Sequence, residues 1–216
     1  MYRQVLAILL SLASTAAITN CGGGGRDAST GGGAGASQQS LASSSLIQSR
    51  DLAAGAKPVE SLPKGPCNPL EVLGRNEAPT AQSQMFATAR VRVQEAVGIF
   101  AADGPAVAAY DALNAKKRLN CIQETIVLQG ALQGGVSVKV LSRRKLSAGD
   151  EAQSVPLQLV RLDSGQRNSV EVASIRSGRS VASLIFISTM EAPPEALVHR
   201  VIDAAAEQLV RARRER

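Results

Sequence analysis

A sharp change of composition near residue 65 constrains this chain more than any other feature of its sequence. Residues 22–64 contain two glycine runs, Gly22–Gly25 and Gly31–Gly33, and then a stretch rich in serine, glutamine and alanine. Such a segment cannot bury enough apolar surface to offset the entropy that a backbone loses on folding. We therefore predict a flexible tether of about 43 residues with an r.m.s. span of roughly 35 Å. Residues 65–216 are long enough to form a single folded domain.

The first twenty residues have the pattern of a secretory signal peptide. Arg3 supplies a positive charge, and an apolar run of fifteen residues extends from Val5 to Thr19. This run is shorter than the roughly twenty residues that a helix needs to span a bilayer. A charged start followed by a short apolar segment is typical of export signals. We therefore predict that residues 1–20 are a signal peptide and that the rest of the chain acts outside the cytoplasm.

Cys21 ends the sequence Ile18-Thr19-Asn20-Cys21, which resembles a bacterial lipobox. In that motif the cysteine thiol is lipidated and the chain is cut before it, although Asn20 stands where the motif normally has Gly, Ala or Ser. A cut after Ala17, as in a soluble exported protein, would instead leave Cys21 as a free thiol. Lipidation of Cys21 leaves an even number of cysteines in an oxidising compartment. We therefore predict a lipid anchor at Cys21, carrying palmitate, that holds the protein at the membrane.

The two remaining cysteines, Cys67 and Cys121, lie within the predicted domain. Outside the cytoplasm their expected state is a disulfide. A closed loop of about 55 residues corresponds to roughly 4 kcal/mol of stabilisation in the chain-entropy model. A reactive thiol or a metal site would need partners, but His199 is the only histidine and no second cysteine stands at metal-binding spacing. We predict a Cys67–Cys121 disulfide, no metal site and no cofactor.

The chain is basic overall, but its excess charge is concentrated at one end. Residues 65–210 contain fifteen Lys or Arg against fourteen Asp or Glu, whereas residues 211–216 contribute three net positive charges. Cations complement the C-terminal end of a helix dipole, so a helix tail explains this charge better than a nucleic-acid patch does. We expect no nucleic-acid partner. Contact with anionic lipid head groups is the functional alternative for this tail.

The hydropathy pattern of the domain predicts an α+β fold. Strand patterns cover residues 83–100 and four later runs, whose short connections favour an antiparallel meander. Helix patterns cover residues 103–117 and a long segment after Pro194, with an apolar stripe that includes Val201. The segment after Cys121 fits both a strand and a helix. We predict a curved antiparallel sheet with helices packed on one face.

Candidate catalytic residues are few. His199 is the only possible base for a Ser/His/Asp mechanism, and it stands roughly 200° around the last helix from the apolar stripe, which indicates a solvent-facing residue. Asp150 and Glu151 are adjacent at a strand start and would point to opposite faces, so a polar turn is favoured over an acid/base pair. The run Arg143–Lys145 could bind an anion or form a solvated strand end. We predict no enzymatic activity and leave the ligand-binding residues unassigned.

The order of these elements resembles the extracellular sensor domain of actinobacterial serine/threonine kinases of the PknH type, which also occurs alone in secreted lipoproteins. The resemblance covers roughly residues 65–212 and rests on five local features. These are Cys67 before a first strand, Phe100 before an Ala-rich helix, Cys121 after that helix, Gly149–Ala152 leading into a strand, and Gly178–Val181 opening the apolar strand before the last helix. The resemblance implies an extracytoplasmic ligand-binding or sensing module. The sequence contains no kinase catalytic motif.

Three classes of function remain compatible with the sequence. The leading interpretation is a lipid-anchored binding or sensing domain with an unknown envelope ligand or protein partner. The alternative is a lipid or glycolipid carrier of the cell envelope, which needs a large apolar cavity between sheet and helices. A core of Val, Leu, Ile and Ala, with Tyr110 and three phenylalanines as the only aromatic residues of the domain, permits such a cavity. A hydrolase that uses carboxylates alone is the third class, and no spacing supports it.

Overall fold

The computed structural model describes residues 33–52, 55–61, 65–132 and 134–214. Within these ranges the chain forms five α-helices and nine strands. The helices are α1 (Gly33–Ser44), α2 (Pro69–Leu73), α3 (Asp103–Asn114), α4 (Lys116–Ala131) and α5 (Glu195–Arg214). The strands are β1 (Lys57–Val59), β2 (Thr80–Gln82), β3 (Met85–Ala87), β4 (Val91–Ile99), β5 (Val136–Val140), β6 (Arg144–Leu146), β7 (Glu151–Arg161), β8 (Arg167–Ser177) and β9 (Ser180–Ser188).

The described strands form one open, antiparallel sheet in the order β1-β3-β4-β9-β8-β7-β5. Two long strands each pair with two short strands along one side. The strands β2 and β3 both pair with β4, and β5 and β6 both pair with β7. The two-residue turn from β8 to β9 begins at Gly178, whose φ of +55° lies in the left-handed region that glycine adopts without strain. The α+β class and the antiparallel meander over β7, β8 and β9 are confirmed.

The helices cover both faces of the sheet, whereas the sequence predicted helices on one face. On β9, Ala182 belongs to the core beneath α1 and α5, while its neighbour Val181 packs with α2 and α3 on the opposite side. Successive strand residues point to opposite faces, and the central strands are apolar at both alternations, so each face needs a cover. We call the side under α1 and α5 the α5 face, and the side under α2, α3 and α4 the α4 face.

Part of the segment that the sequence assigned to a flexible tether belongs to the folded core. Residues 33–52, which we call the N-terminal strap, contain α1 and cross the α5 face. Ala42, Ile47 and Leu52 are at most 2% exposed and pack with the buried residues of α5. Their spacing of five residues places one apolar side chain after another against the sheet, although the composition around them is polar. The tether prediction is corrected for these residues, and residues 21–32 lie outside the described ranges.

The segment after Cys121, which fitted both a strand and a helix, is helical. It forms α4, and Ile122 and Ile126 pack against the β8 side chains of the α4 face. The chain then returns so closely that a Cβ atom at Gly130 would lie 2.7 Å from the Val136 Cβ atom. Only glycine fits at this position, near the end of α4 and just before the chain enters β5.

Candidate functional site

A cleft with a volume of about 170 Å³ lies on the α5 face, between the start of α5 and a gap beside β7. The gap falls opposite Pro156, because β5 ends at Val140 and β6 begins only at Arg144. Proline has no backbone N–H to donate, so it suits a position where the ladder is interrupted. We call this the α5 cleft. Its apolar walls include Leu146, Pro156 and Val198, and its polar lining includes Arg144, Glu171, Glu191, Glu195 and His199.

Glu171 is the polar residue buried most deeply in the α5 cleft. It lies in the middle of β8 opposite Pro156, and it is only 2% exposed. Its Oε1 atom accepts a hydrogen bond of 2.6 Å from the Ser154 hydroxyl. Its second carboxylate oxygen has no hydrogen-bond partner among the described residues. This oxygen is open to the cleft, so the base of the cleft presents a carboxylate oxygen to which no described residue donates.

The mouth of the cleft carries two more carboxylates, and both are tied to neighbours. Glu191 accepts hydrogen bonds from Arg167 at 2.8 Å and from Gln158 at 2.7 Å. Glu195 lies 3.4 Å from the Nε2 atom of His199, one helical turn later. These side chains are exposed, so their ion pairs contribute little to stability. With Arg144, Arg167 and His199 beside them, the mouth of the cleft carries both acidic and basic groups.

His199 is exposed, as the sequence predicted, but it also lines the cleft. Its side chain is 55% exposed and faces away from the core of α5, where Val201 is fully buried. The helix phase that the apolar stripe predicted is therefore confirmed. Sequence reasoning missed that this exposed face of α5 lies beside the gap in the sheet.

The side chains of Arg143 and Arg144, in the basic run Arg143–Lys145, contact different parts of the protein. Arg143 turns to the end of α3, where it donates to the backbone carbonyl of Asn114 at 2.7 Å. Arg144 pairs in register with Ser154, so it lies on the α5 face and contributes to the cleft. All three side chains are exposed and β6 begins at Arg144, so the structure agrees with the solvated strand end and does not bring the run together as one anion site.

Asp150 and Glu151 form a polar turn that holds a basic cluster. Both carboxylates contact Arg176, at 3.7 and 3.3 Å, and Asp150 also accepts from the backbone N–H of Gly178. Arg213 of α5 reaches the same Asp150 at 4.0 Å. We call Arg176, Arg179 and Arg213 the arginine pole. The two adjacent acids stabilise this end of the sheet, as the polar-turn interpretation predicted.

A broader depression of about 610 Å³ lies beside the arginine pole. Its lining contains Asp103, Arg179 and Arg213 together with small residues of the neighbouring turns. These charged side chains do not form the apolar wall that a lipid or glycolipid carrier requires. The depression therefore gives no support to the carrier alternative.

The predicted disulfide between Cys67 and Cys121 is present. Their Cα atoms are 5.9 Å apart, within the range that disulfides normally span, and 54 residues separate them along the chain. The bond joins the segment before α2 to the first half of α4, so it fastens helices of the α4 face. It lies on the opposite side of the sheet from the α5 cleft. The disulfide is thus a structural link and not part of the candidate site.

Glu95 of β4 is a second buried carboxylate on the α5 face. It is 1% exposed, and its Oε2 atom accepts a bond of 2.6 Å from the backbone N–H of Ile47 in the strap. Its Oε1 atom has no hydrogen-bond partner within the described ranges. Burial, with a smaller contribution from the charge of Asp51, raises the pKa of Glu95 to about 8, although the Ile47 bond opposes that rise.

Among the described residues, no helix is both long and apolar enough to cross a bilayer. The same residues contain no group of three or more His, Cys, Asp or Glu side chains placed to hold a metal ion. The predicted lipidation residue, Cys21, lies outside the described ranges.

No family model and no curated protein matches this chain. Among solved structures, the chain is similar to the crystal structure of the extracellular domain of PknH from Mycobacterium tuberculosis, with a TM-score of 0.51 and 10% sequence identity. The chain therefore has a fold similar to that of the PknH extracellular domain. The similarity covers 84% of this chain and 97% of that one. Because 84% of 216 residues is about 181, it extends well beyond residues 65–216 and must include residues before them.

Proposed function

We propose that this chain is an extracytoplasmic ligand-binding or sensing domain, without enzymatic activity, held at the membrane surface by a lipid on Cys21. One observation carries the binding function: the α5 cleft exposes a free oxygen of the buried Glu171 to a space of about 170 Å³. That oxygen accepts no hydrogen bond from the described residues, so a donor that enters the cleft can bind it. The PknH-like fold and the Cys67–Cys121 disulfide support a location outside the cytoplasm.

The direction of the strap supports an anchor near the arginine pole. Gln39 of α1 donates to the Thr80 carbonyl, and Thr80 pairs with Gly98 near the end of β4. From there α1 runs towards Glu95, so its first residue points to the end where β4 meets Arg179. Twelve residues separate Cys21 from Gly33, and a chain of that length reaches at most ~40 Å. A lipid on Cys21 would let the arginine pole reach anionic head groups, which attract the part of its charge that Asp150 and Glu151 do not offset.

The anchor is tested by following the protein after export in a bacterial host that processes lipoproteins. The wild-type protein should enter the detergent phase on phase partitioning and should be labelled by a radioactive fatty acid. Cys21→Ser should lose both properties while it is still exported. A wild-type protein recovered wholly in the aqueous phase, with its N-terminus at Ile18, would disprove the lipid anchor and leave the binding function standing.

The binding function is tested by native mass spectrometry of the purified protein, searching for a co-purifying small molecule. Ala192 lines the cleft and is exposed, so Ala192→Trp should block the cleft with little effect on packing. Ala108→Trp is the matched control, because Ala108 is an exposed residue of α3 on the α4 face. The bound mass should disappear in Ala192→Trp and persist in Ala108→Trp. A bound mass that persists in both variants would place the binding site elsewhere.

A further inference from the structure

The buried carboxylate of Glu171 differs from an ordinary core residue in its surroundings. Ser154 supplies one hydrogen bond, and no Lys, Arg or His of the described residues lies within ion-pair distance of the Glu171 oxygens. Arg144 lines the same cleft without forming an ion pair with Glu171. The second oxygen of Glu171 is open to the cleft, so a partner for it would enter through the cleft.

We propose that the α5 cleft binds the ammonium group of a small organic amine, with Glu171 as its anionic partner. This inference rests on the proposed binding function and names the chemical class of its ligand. A positively charged N–H donor satisfies the free oxygen of Glu171 and forms the charge-assisted hydrogen bond that is the stronger kind. The carbon chain of such an amine would contact the apolar walls formed by Leu146, Pro156 and Val198.

The size and the charge of the cleft agree with such a ligand. A volume of about 170 Å³ equals the share of roughly five or six water molecules, at about 30 Å³ each. This is space for a short aliphatic amine but not for a folded polymer. Glu191 is already paired with Arg167, and Glu195 lies beside His199. Glu171 is therefore the carboxylate of the cleft that is left for a cation. An anionic ligand would instead bring a like charge against Glu171 in a place with little water to screen it.

The experiment measures the binding of four probes to the purified protein at pH 7 by ligand-observed NMR titration. Butylamine, putrescine and agmatine carry ammonium or guanidinium groups, and 1-butanol is the uncharged analogue of butylamine. We expect at least one of the cations to bind with a Kd in the millimolar range or below. We expect 1-butanol to bind at least tenfold more weakly than butylamine. Failure of all three cations to bind at 10 mM would overturn the proposal.

Two variants test the role of Glu171 directly. Glu171→Gln keeps the shape of the side chain but removes its charge, and it should weaken the binding of the amines at least tenfold. Glu207→Gln, which removes an exposed carboxylate of α5 away from the cleft, should change it by less than twofold. Equal amine binding by wild type and Glu171→Gln would overturn the proposal. Should Glu171→Gln fail to fold, Ala192→Trp takes its place, because blocking the cleft must also abolish amine binding.

These outcomes separate the ligand class from the binding function. A co-purifying mass that Ala192→Trp removes, in a protein that binds none of the amines, would keep the cleft as a binding site and refute the amine as its ligand. Amine binding that survives Ala192→Trp would refute the cleft as the amine site.

Discussion

Two buried carboxylates on one face of this sheet have opposite surroundings. Glu95 on β4 lies beneath the N-terminal strap, and Glu171 on β8 lies two strands away in the α5 cleft. Both are at most 2% exposed, so burial does not distinguish them. What differs is the cover: the chain itself closes over Glu95, whereas the space above Glu171 is open to a small molecule. A buried acid indicates a binding site only where the fold leaves such a space.

The two residues also show two ways in which a protein accommodates a buried acid. Burial favours the neutral form of Glu95, and its pKa rises to about 8. The strap supplies no positively charged partner for Glu95, and protonation of the carboxylate removes the need for one. Glu171 has a hydroxyl donor on one oxygen and leaves the other facing the cleft. The strap should therefore control the titration of Glu95 and have no direct effect on the cleft.

Removing the strap should have the largest effect of the changes considered. A chain that begins at residue 53 lacks Ala42, Ile47 and Leu52, and full burial of large aliphatic side chains contributes ~1.5–3 kcal/mol each. Loss of Ile47 and Leu52 together should therefore lower the free energy of unfolding by roughly 3–6 kcal/mol, as measured by urea denaturation. A chain that begins at residue 33 is the control and should match the mature protein. An unchanged unfolding midpoint for the shorter chain would mean that the strap does not cover Glu95.

The pH dependence of stability should identify Glu95 as the covered acid. Because its pKa rises from 4.5 to about 8 on folding, the folded protein binds this proton more tightly than the unfolded chain does. The contribution of Glu95 to stability is therefore complete below pH 4.5 and is lost as the pH rises through about 8. At ~1.36 kcal/mol per pH unit, the loss is up to roughly 5 kcal/mol across this window.

Glu95→Gln should remove this loss, so its stability should change less between pH 5 and pH 9 than that of the wild type. The wild-type protein, measured in the same series, is the reference for this slope. Thermal unfolding at a series of pH values measures both. A Glu95→Gln protein with an unaltered slope would show that another group titrates in this range, and the contrast between the two acids would lose its basis.

The disulfide should matter for stability but not for either carboxylate. Replacing both Cys67 and Cys121 by alanine should cost ~2–4 kcal/mol, which is the usual contribution of a native disulfide. For a domain of this size the melting temperature should fall by roughly 5–15 °C. The bond fastens the α4 face, so the pH dependence due to Glu95 and amine binding at Glu171 should persist in the folded fraction. Loss of either property would show that the two faces of the sheet are coupled.

The smallest effect is expected for the only histidine. His199→Ala removes an exposed side chain and should change the free energy of unfolding by no more than ~0.5 kcal/mol. Val201→Asp, two residues later on the buried side of α5, should be severely destabilising because it places an unpaired charge in the core. Chemical denaturation of the two variants gives this contrast. Loss of a measurable catalytic activity in a stable His199→Ala protein would contradict the proposal of a binding domain.

Local periodicity predicted most of the secondary structure, because it depends on residues close together in the chain. The two-residue alternation around Val170 and Val172 is present in β8, and the apolar stripe through Val201 is the buried side of α5. The disulfide could also be predicted, since it needed only a count of cysteines and an oxidising compartment. The sequence also carried a signal for one buried acid: Glu95 occurs in phase with Val93 and Val97 of β4. Glu171 stands between Val170 and Val172 and so out of phase with them, and its burial could not be predicted from that alternation.

Only the tertiary structure decided what surrounds those acids, because their neighbours are distant in sequence. Ile47 donates a hydrogen bond to Glu95 across 48 residues of sequence. Arg200 donates one to the Leu52 carbonyl across 148 residues. No local pattern reports that a polar, alanine-rich segment will fold back over a sheet. The cleft likewise depends on the start of α5 meeting the gap opposite Pro156. Burial of a strand residue such as Glu95 can be inferred from its phase, but whether protein or solvent covers it follows only from long-range packing.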